Sequence, residues 1–118
     1  VAGTVSYGAV GAVYQLGLSV LVVPTRSGRT ARLVSAHRPQ VPILALSPRP
    51  ETVRRLNLLF GVVSAQNEEP ETLNELLESC AHRARELGLA KSGDLIGITA
   101  GLGGQQLGTN LFEVHRVP

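Results

Sequence analysis

A short segment of the chain combines hydroxyl side chains, a glycine and two arginines in a pattern suited to holding phosphate. Residues 24–30 run Pro-Thr-Arg-Ser-Gly-Arg-Thr and follow an apolar stretch. If a helix begins here, its backbone N–H groups and the positive end of its dipole point toward one spot. The glycine lets the backbone approach a ligand closely, the hydroxyls donate hydrogen bonds to phosphate oxygens, and an arginine supplies charge. The candidate phosphate-binding residues are Thr25, Arg26, Ser27, Gly28, Arg29 and Thr30.

The same segment also has a purely structural interpretation. Ser27 is a good N-cap for a helix carrying Ala31 and Val34, and both arginines would then be solvated. Short turns of serine, glycine and arginine are common in proteins. Residue types alone therefore leave phosphate binding and plain helix capping as open alternatives.

A second candidate lies in the glycine-rich stretch at residues 99–109, which follows another predicted strand. Ligands of open α/β sheets settle where neighbouring strands send their connections to opposite faces, so adjacent first and fourth strands would place both loops beside one crevice. The alternative is a flexible hairpin connection. The candidate loop glycines are Gly101, Gly103, Gly104 and Gly108.

Several catalytic chemistries lack the residues they need. Asp94 is the sole aspartate and is predicted just after a turn, which excludes a receiver-type phosphorylation site. The chain has no G-x-x-x-x-G-K-[ST] loop and no carboxylate cluster for magnesium, and its sole lysine, Lys91, lies in a turn. A phosphoryl-transfer centre cannot be assembled from these residues.

The histidines and the cysteine do not suggest a catalytic or metal site either. His37, His82 and His115 fall on a helix end, a helix and a strand, with no spacing that would bring two together as metal ligands. Cys80 lies in the apolar register of a predicted helix, which argues for burial rather than for a reactive thiol. We therefore expect no catalytic residues, metal or cofactor in this chain.

Charge and hydropathy limit the classes of binding partner and the cellular compartment that we expect for this chain. Ten of the eleven cationic side chains are arginines, but their helical segments interleave with glutamates and lack aromatic stacking residues, so we expect no nucleic-acid binding. No apolar run approaches the roughly 18 residues of a membrane span, and the start lacks a signal-peptide pattern, so we expect no membrane association. A single cysteine suits a reducing compartment, which favours the cytoplasm.

The elements that would position the two loops follow an alternating pattern. Hydrophobic residues make up 43% of the chain and are mostly Val, Leu, Ile and Ala, which suits a parallel sheet covered on both faces. We predict strands at 18–23, 41–46, 62–65, 94–99 and 110–117. We predict helices at 2–16, from Ser27 to near His37, from about residue 52 to Gly61, and from Leu73 to Leu87.

This order predicts a three-layer α/β/α sandwich formed by one domain, residues 1–118. Right-handed crossovers make the first four strands parallel, whereas the last connection, 100–109, is too short for a helical crossover and makes the fifth strand antiparallel. The absence of Met and the start at Val1 lead us to expect that the domain was excised from a longer polypeptide.

At the two loops the sequence resembles the C-terminal domain of pyruvate kinase, and the resemblance runs over essentially the whole chain. It is carried by motifs in the same order and spacing as in that family. These are residues 22–35, Arg38-Pro39, 42–47, 51–56, 61–63, Gly93-Asp94, 98–101 and 108–111.

The resemblance implies a five-stranded sheet of order 3-2-1-4-5 and a regulatory, effector-binding role. In that family a Thr-x-Ser-Gly-x-Ser/Thr loop holds a phosphate of an allosteric sugar phosphate, which carries over to Thr25, Ser27, Gly28 and Thr30, with Arg26 where a lysine is often found. The loop from Gly101 to Gly108 would fold over the effector.

The resemblance also implies what lies around such a domain. The parent enzyme would transfer phosphate from phosphoenolpyruvate to ADP in a separate catalytic barrel with magnesium and potassium, and that barrel is absent from this chain. The isolated domain is therefore expected to be inactive. Self-association would use residues 5–16 and 110–116.

Two departures from the family pattern bear on the effector. Leu76 or Leu77 stands where many relatives that bind fructose 1,6-bisphosphate have an arginine, and Gly108-Thr109-Asn110 is one residue shorter than the family's usual motif. Both argue against a bisphosphate and leave a hexose or pentose monophosphate or AMP. A free-standing phosphate-ligand-binding protein and, more weakly, a small phosphate-handling enzyme are the alternatives.

Overall fold

A computed structural model describes residues 2–100 and 111–118 of the chain. The described helices are Ala2–Leu16 (α1), Arg29–Ala36 (α2), Pro50–Leu56 (α3) and Leu73–Glu86 (α4). The described strands are Leu21–Pro24 (β1), Ile43–Ser47 (β2), Val62–Gln66 (β3), Leu95–Ala100 (β4) and Leu111–Arg116 (β5). In this part of the chain no helix is long and apolar enough to cross a membrane.

The strands form one five-stranded sheet of order β3-β2-β1-β4-β5. Strand β1 pairs in parallel with β2 and β4, and β2 pairs in parallel with β3. Strand β5 runs antiparallel to β4, with Leu95 opposite Arg116. The predicted order and the single antiparallel strand are both confirmed.

Alternating strand residues supply two apolar cores, one on each face of the sheet. Leu21 and Val23 of β1 face a cluster that includes Ala9 of α1, Val34 of α2 and Leu56 of α3. The strand residues between these, such as Val22, face the opposite side of the sheet. There they pack against α4, whose buried residues are Cys80, Ala81 and Ala84. The arrangement is the predicted three-layer sandwich, with helices on both faces.

Two element boundaries differ from the sequence-based predictions by three residues or more. Strand β1 begins at Leu21 rather than at Leu18, although Leu18 is buried within the core. Helix α3 ends at Leu56, so the prediction that it continues to Gly61 is wrong. After Leu56 the N–H of Leu59 bonds back to the carbonyl of Leu56, three residues earlier, which tightens the backbone out of the α-helix.

The apolar residue Phe60, which the periodicity assigned to this helix, has another role. Its side chain is 60% exposed, and the guanidinium of Arg38 lies 4.4 Å from the centre of its ring. The backbone carbonyl of Phe60 accepts a hydrogen bond of 2.8 Å from the hydroxyl of Ser35, at the end of α2. These contacts join the ends of α2 and α3 at the amino edge of β3.

Helix α4 begins at a well-formed cap. Thr72 is its N-cap, and the Thr72 hydroxyl accepts the backbone N–H of Glu75 at 3.1 Å. The Glu75 carboxylate in turn accepts the N–H of Glu71, so two backbone donors at this end are satisfied. The cap sets where the β3–α4 connection ends.

Gly97 is the point at which β4 has no room for a side chain. A Cβ atom there would lie 2.8 Å from the Phe112 ring, and 2.9 Å from both Leu18 Cδ1 and Leu21 Cδ2. Phe112 comes from β5, Leu18 precedes β1, and Leu21 lies on β1. The glycine therefore allows side chains from β5, from β1 and from the residue Leu18 before β1 to pack together against β4.

We expect Gly97→Ala to lower the free energy of unfolding by about 1–3 kcal/mol, because three packed side chains must shift to admit one methyl group. Urea unfolding followed by circular dichroism measures the change. The matched control is Gly11→Ala in α1, where a Cβ meets nothing within 4 Å. That change should be neutral or stabilising by up to about 1 kcal/mol, because alanine favours the helix. Equal destabilisation by both variants would contradict the packing assigned to Gly97.

Cys80 is fully buried on the α4 face of the sheet, as predicted. Burial raises the pKa of its thiol from the ordinary value of 9.0 to about 12, because the apolar surroundings disfavour the thiolate. The folded chain therefore holds this proton more tightly than the unfolded chain does. Stability from this group is fully present below pH 9 and is lost as the pH rises toward 12.

We expect the difference in unfolding free energy between the wild-type chain and Cys80→Ala to be constant below pH 9. Above it, the difference should shrink by up to about 1.4 kcal/mol per pH unit. Urea unfolding of both proteins from pH 7.5 to 10.5 measures this difference. Because both proteins carry the other basic groups, the effect of their titration cancels when the two free energies are subtracted. A difference that stays flat to pH 10.5 would show that the buried thiol does not carry a raised pKa.

Candidate functional site

The predicted phosphate segment crosses the carboxyl edge of the sheet between β1 and α2. Strand β1 ends at Pro24 and helix α2 begins at Arg29. The backbone N–H of Thr25 donates a 2.8 Å hydrogen bond to the carbonyl of Leu46 on β2, which ties the start of the loop to the neighbouring strand. The loop thus lies where parallel α/β sheets usually bind ligands.

The residue that caps α2 is Gly28, so the prediction that Ser27 is the N-cap is wrong. Gly28 has φ of 89°, and its carbonyl accepts the first helical hydrogen bond from Arg32. A Cβ at this position would lie 2.9 Å from Cδ2 of the buried Leu56 of α3. The positive φ and the close approach to α3 both require glycine, so the cap moves to Gly28.

The loop hydroxyls bind backbone N–H groups of the same loop. Thr25 Oγ1 accepts the N–H of Gly28 at 2.9 Å, and Ser27 Oγ accepts the N–H of Arg29 at 3.3 Å. The sequence predicts that the backbone N–H groups here point toward a ligand, but those of Gly28 and Arg29 are bonded to side chains of the loop itself. A hydroxyl that accepts one hydrogen bond still keeps its own hydrogen to donate, so Thr25 and Ser27 can each direct an O–H toward an anion.

Helix α3 holds the backbone of the β1–α2 loop through a hydrogen bond from Thr52. The hydroxyl of Thr52, which is 1% exposed, donates a 2.8 Å hydrogen bond to the backbone carbonyl of Arg26. Arg55 donates to the same Thr52 oxygen at 3.3 Å. Nothing in the sequence singled out Thr52, because its role depends on a residue 26 positions away.

The three remaining candidate side chains differ in what they can reach. Arg26 forms a two-point ion pair with Glu69 of the β3–α4 connection, with Arg26 Nε donating to Glu69 Oε1 at 3.1 Å and Nη2 contacting Oε2. Arg29 is exposed, whereas Thr30 is only 6% exposed and faces inward. Sequence reasoning missed Glu69, which lies 43 residues from Arg26.

The carboxyl ends of β2 and β3 form the adjoining part of this edge. Ser47 ends β2, and its carbonyl accepts the N–H of Asn67 at 3.0 Å. Beyond these strand ends lies an open cleft of about 430 Å³. The cleft is lined by Pro48, Gln66, Asn67, Glu68 and Arg83.

The second predicted loop is only partly within the described structure. Strand β4 lies next to β1 and ends at Ala100, so the chain leaves β4 at the same edge as the first loop. The candidates Gly101, Gly103, Gly104 and Gly108, and residue 110 of the predicted assembly segment, lie outside the described residues. Thr99, just before this point, is 1% exposed, and its hydroxyl has no hydrogen-bond partner among the described residues.

Asp94 lies in the turn between α4 and β4, at the opposite edge of the sheet. Its carboxylate accepts the backbone N–H of Lys91 at 2.9 Å. That hydrogen bond, with further help from the side chain of Ser19 and the charge of Lys91, lowers the pKa of Asp94 below its ordinary value. The sole aspartate lies just after a turn, as predicted, and its carboxylate bonds to the backbone of that turn.

The histidines remain on separate elements. His82 lies on α4 with Nε2 3.5 Å from a carboxylate oxygen of Glu86, and its side chain is largely exposed. Within residues 2–100 and 111–118, no three His, Cys, Asp or Glu side chains come together as metal ligands would. The described part of the carboxyl edge presents hydrogen-bonding groups and charged side chains of both signs.

The chain matches the family model described as the pyruvate kinase α/β domain over residues 3–115. It is 39% identical over 102 residues to the pyruvate kinase of Bacillus licheniformis and 39% identical over 101 residues to that of Geobacillus stearothermophilus. These alignments cover 86% and 85% of the chain but 17% of each relative. The pyruvate kinase of Staphylococcus aureus is 36% identical over 103 residues, 86% of the chain and 18% of the relative. The resemblance noted from the sequence is confirmed, and the chain belongs to the pyruvate kinase α/β domain family.

Proposed function

We propose that this chain is the regulatory domain of a pyruvate kinase and binds a phosphorylated small-molecule effector at residues 25–30. The observation that carries the proposal is the turn that ends at Gly28. There the Thr25 and Ser27 hydroxyls lie within hydrogen-bonding distance of the backbone N–H groups of Gly28 and Arg29. A phosphate oxygen can take the place of a hydroxyl oxygen at such N–H groups while the hydroxyls donate to it.

The surroundings of the loop suit an anion that binds reversibly from solvent. Ser27 and Arg29 are exposed, so their polar groups are accessible without opening the core, and Arg26 is partly exposed and paired with Glu69 at the surface. The loop backbone is held by Thr52 and by the packing of Gly28 against Leu56. A loop that is already ordered loses little conformational entropy when it binds.

The parent enzyme and its chemistry belong to the same proposal. The chain spans 17–18% of the length of the pyruvate kinases it matches. We propose that phosphate transfer from phosphoenolpyruvate to ADP, with magnesium and potassium, takes place in a separate catalytic barrel of a cytoplasmic parent. Residues 1–118 would then form one domain that is inactive alone and holds no cofactor. Effector binding would act on the distant active site by favouring one pose of the domain.

A single phosphate on the effector fits the described residues better than two. The family resemblance puts Leu76 or Leu77 where an arginine would hold a second phosphate, and both leucines are apolar and pack against the core on the α4 side of the sheet. A hexose or pentose monophosphate or AMP is therefore the proposed ligand class. A free-standing phosphate-binding protein of the same fold is the alternative, and it requires the same loop.

We further propose that α1 and β5 form the surface through which copies of this domain associate, within residues 5–16 and 110–116. On the described part of this surface Tyr14 is 60% exposed and Leu16 is 48% exposed. Val114 is 38% exposed on β5, which is an edge strand that contacts α1. Exposed apolar side chains beside an unpaired strand edge favour association with a second copy.

We expect a panel of phosphate compounds to raise the melting temperature of the chain selectively, because a ligand that binds only the folded state stabilises it. The panel is ribose 5-phosphate, glucose 6-phosphate, AMP and fructose 1,6-bisphosphate, with inorganic phosphate as reference. Ser27→Ala should reduce the shift by removing an exposed hydroxyl donor. It is preferred to Thr30→Ala, since Thr30 is 6% exposed and its loss could also affect stability.

The matched control is Ser92→Ala, which removes an exposed hydroxyl from the turn before β4, away from the carboxyl edge. It should leave every ligand-induced shift unchanged. No shift with any compound would count against effector binding by this chain, and equal losses in the two variants would count against the loop.

We expect Tyr14→Glu to weaken self-association, because it places a charge in the proposed apolar contact. Sedimentation velocity across a concentration series measures the association constant. Leu58→Glu is the control, since Leu58 is 87% exposed but lies in the α3–β3 turn. A wild-type chain that stays monomeric throughout, or a stronger effect of the Leu58 variant, would refute the assignment of this surface.

A further inference from the structure

We propose that Glu69 acts as an internal anion that occupies Arg26 until the phosphate of the effector displaces it. The inference rests on the proposed function and adds to it a device that sets the affinity and selectivity of the loop. In the structure the two nitrogens of one edge of the guanidinium face both carboxylate oxygens of Glu69. This is the arrangement with which arginine also grips a phosphate group, so the carboxylate and the phosphate compete for the same donors.

The pair is exposed enough to exchange. The Arg26 side chain is 27% exposed and that of Glu69 is 49% exposed, so water and ions reach both. Ion pairs of this exposure contribute little to stability, because solvent screens them and both long side chains lose freedom. A phosphate that also receives hydrogen bonds from the loop N–H and O–H groups can therefore replace the carboxylate.

The exchange requires only side-chain movement on the loop side. The backbone carbonyl of Arg26 is held by Thr52 at 2.8 Å, and the turn at Gly28 is packed against Leu56. The guanidinium can thus rotate from Glu69 to a ligand while the loop backbone stays in place.

On the other side of the pair, displacement frees a short and well-defined segment. Asn67 is held through both its backbone and its side chain. Its backbone N–H donates to the carbonyl of Ser47, and its side-chain amide donates to the hydroxyl of Ser79 at 2.8 Å. Thr72 caps α4. The N–H of Glu71 is also held, by the Glu75 carboxylate, so loss of the Arg26 contact loosens residues 68–70 and leaves α4 in position.

The displaced carboxylate would also favour ligands with one phosphate. Glu69 remains tethered close to the loop after it is displaced, and Glu68 and Glu71 lie on the same connection. These carboxylates would repel a second phosphate directed toward β3 and α4. A ligand with one phosphate and an uncharged remainder avoids this repulsion.

The test compares Glu69→Gln with Glu68→Gln, which remove the same charge from adjacent exposed residues. Isothermal titration with inorganic phosphate and with ribose 5-phosphate measures the affinity. Glu69→Gln should tighten binding about two- to fivefold, the range expected when an exposed ion pair no longer competes. Glu68→Gln should have a smaller effect, because Glu68 does not pair with Arg26. Equal effects of the two variants would reduce the role of Glu69 to general charge and overturn the inference.

Two further measurements separate this inference from the proposed function. In an Arg26→Ala background Glu69→Gln should no longer change the affinity, and a gain that persists there would overturn the competition. Hydrogen exchange at the amides of Glu68 and Glu69 should accelerate when ribose 5-phosphate binds, and unchanged exchange there would also count against the inference. If Ser27→Ala weakens binding but Glu69→Gln does not alter it, the effector site stands and the inference falls. If neither the wild type nor Glu69→Gln binds any phosphate compound, both fall.

Discussion

The burial of β1 on both faces is the constraint on which the rest of the structure depends. Leu21, Val22 and Val23 are each 0% exposed, with successive side chains in opposite cores. A strand with no solvent-facing side requires helices above and below, and α1, α2 and α3 cover one face while α4 covers the other. Because β1 lies at the centre of the sheet, its carboxyl end is fixed relative to both neighbouring strands. The start of the loop that follows β1 is therefore fixed as well.

The loop between β1 and α2 is ordered by contacts from a different helix. Gly28 brings the backbone against Leu56, and Thr52 of the same helix binds the carbonyl of Arg26. Helix α3 is only seven residues long, yet it supports the segment that the proposed function requires. The hydroxyls of Thr25 and Ser27 then complete the turn. A loop ordered in this way loses its conformational freedom during folding, so the proposed binding would cost little further entropy.

The electrostatics of the carboxyl edge depend on pairing rather than on net charge. Arg26 is matched by Glu69, and Arg83 is paired with Glu86 on α4. The formal charge of +2 therefore says little about the potential at the proposed site. What matters there is which anion is closest to the guanidinium of Arg26, since a bidentate partner at contact distance outweighs distant screened charges.

Local patterns in the sequence determined the number and direction of the strands, the burial of Cys80 and the place of the first loop in the chain. These depend on spacings of a few residues, which apolar periodicity, glycine and proline report directly. The sheet order came from the family resemblance, and the six candidate residues at 25–30 stay a prediction. The tertiary structure alone decided that Gly28 rather than Ser27 caps α2, that α3 stops at Leu56, and that Arg26 faces Glu69. Each depends on atoms brought together from distant parts of the chain, 43 residues apart for Arg26 and Glu69, and the spacing of residues along the chain carries no measure of such distances.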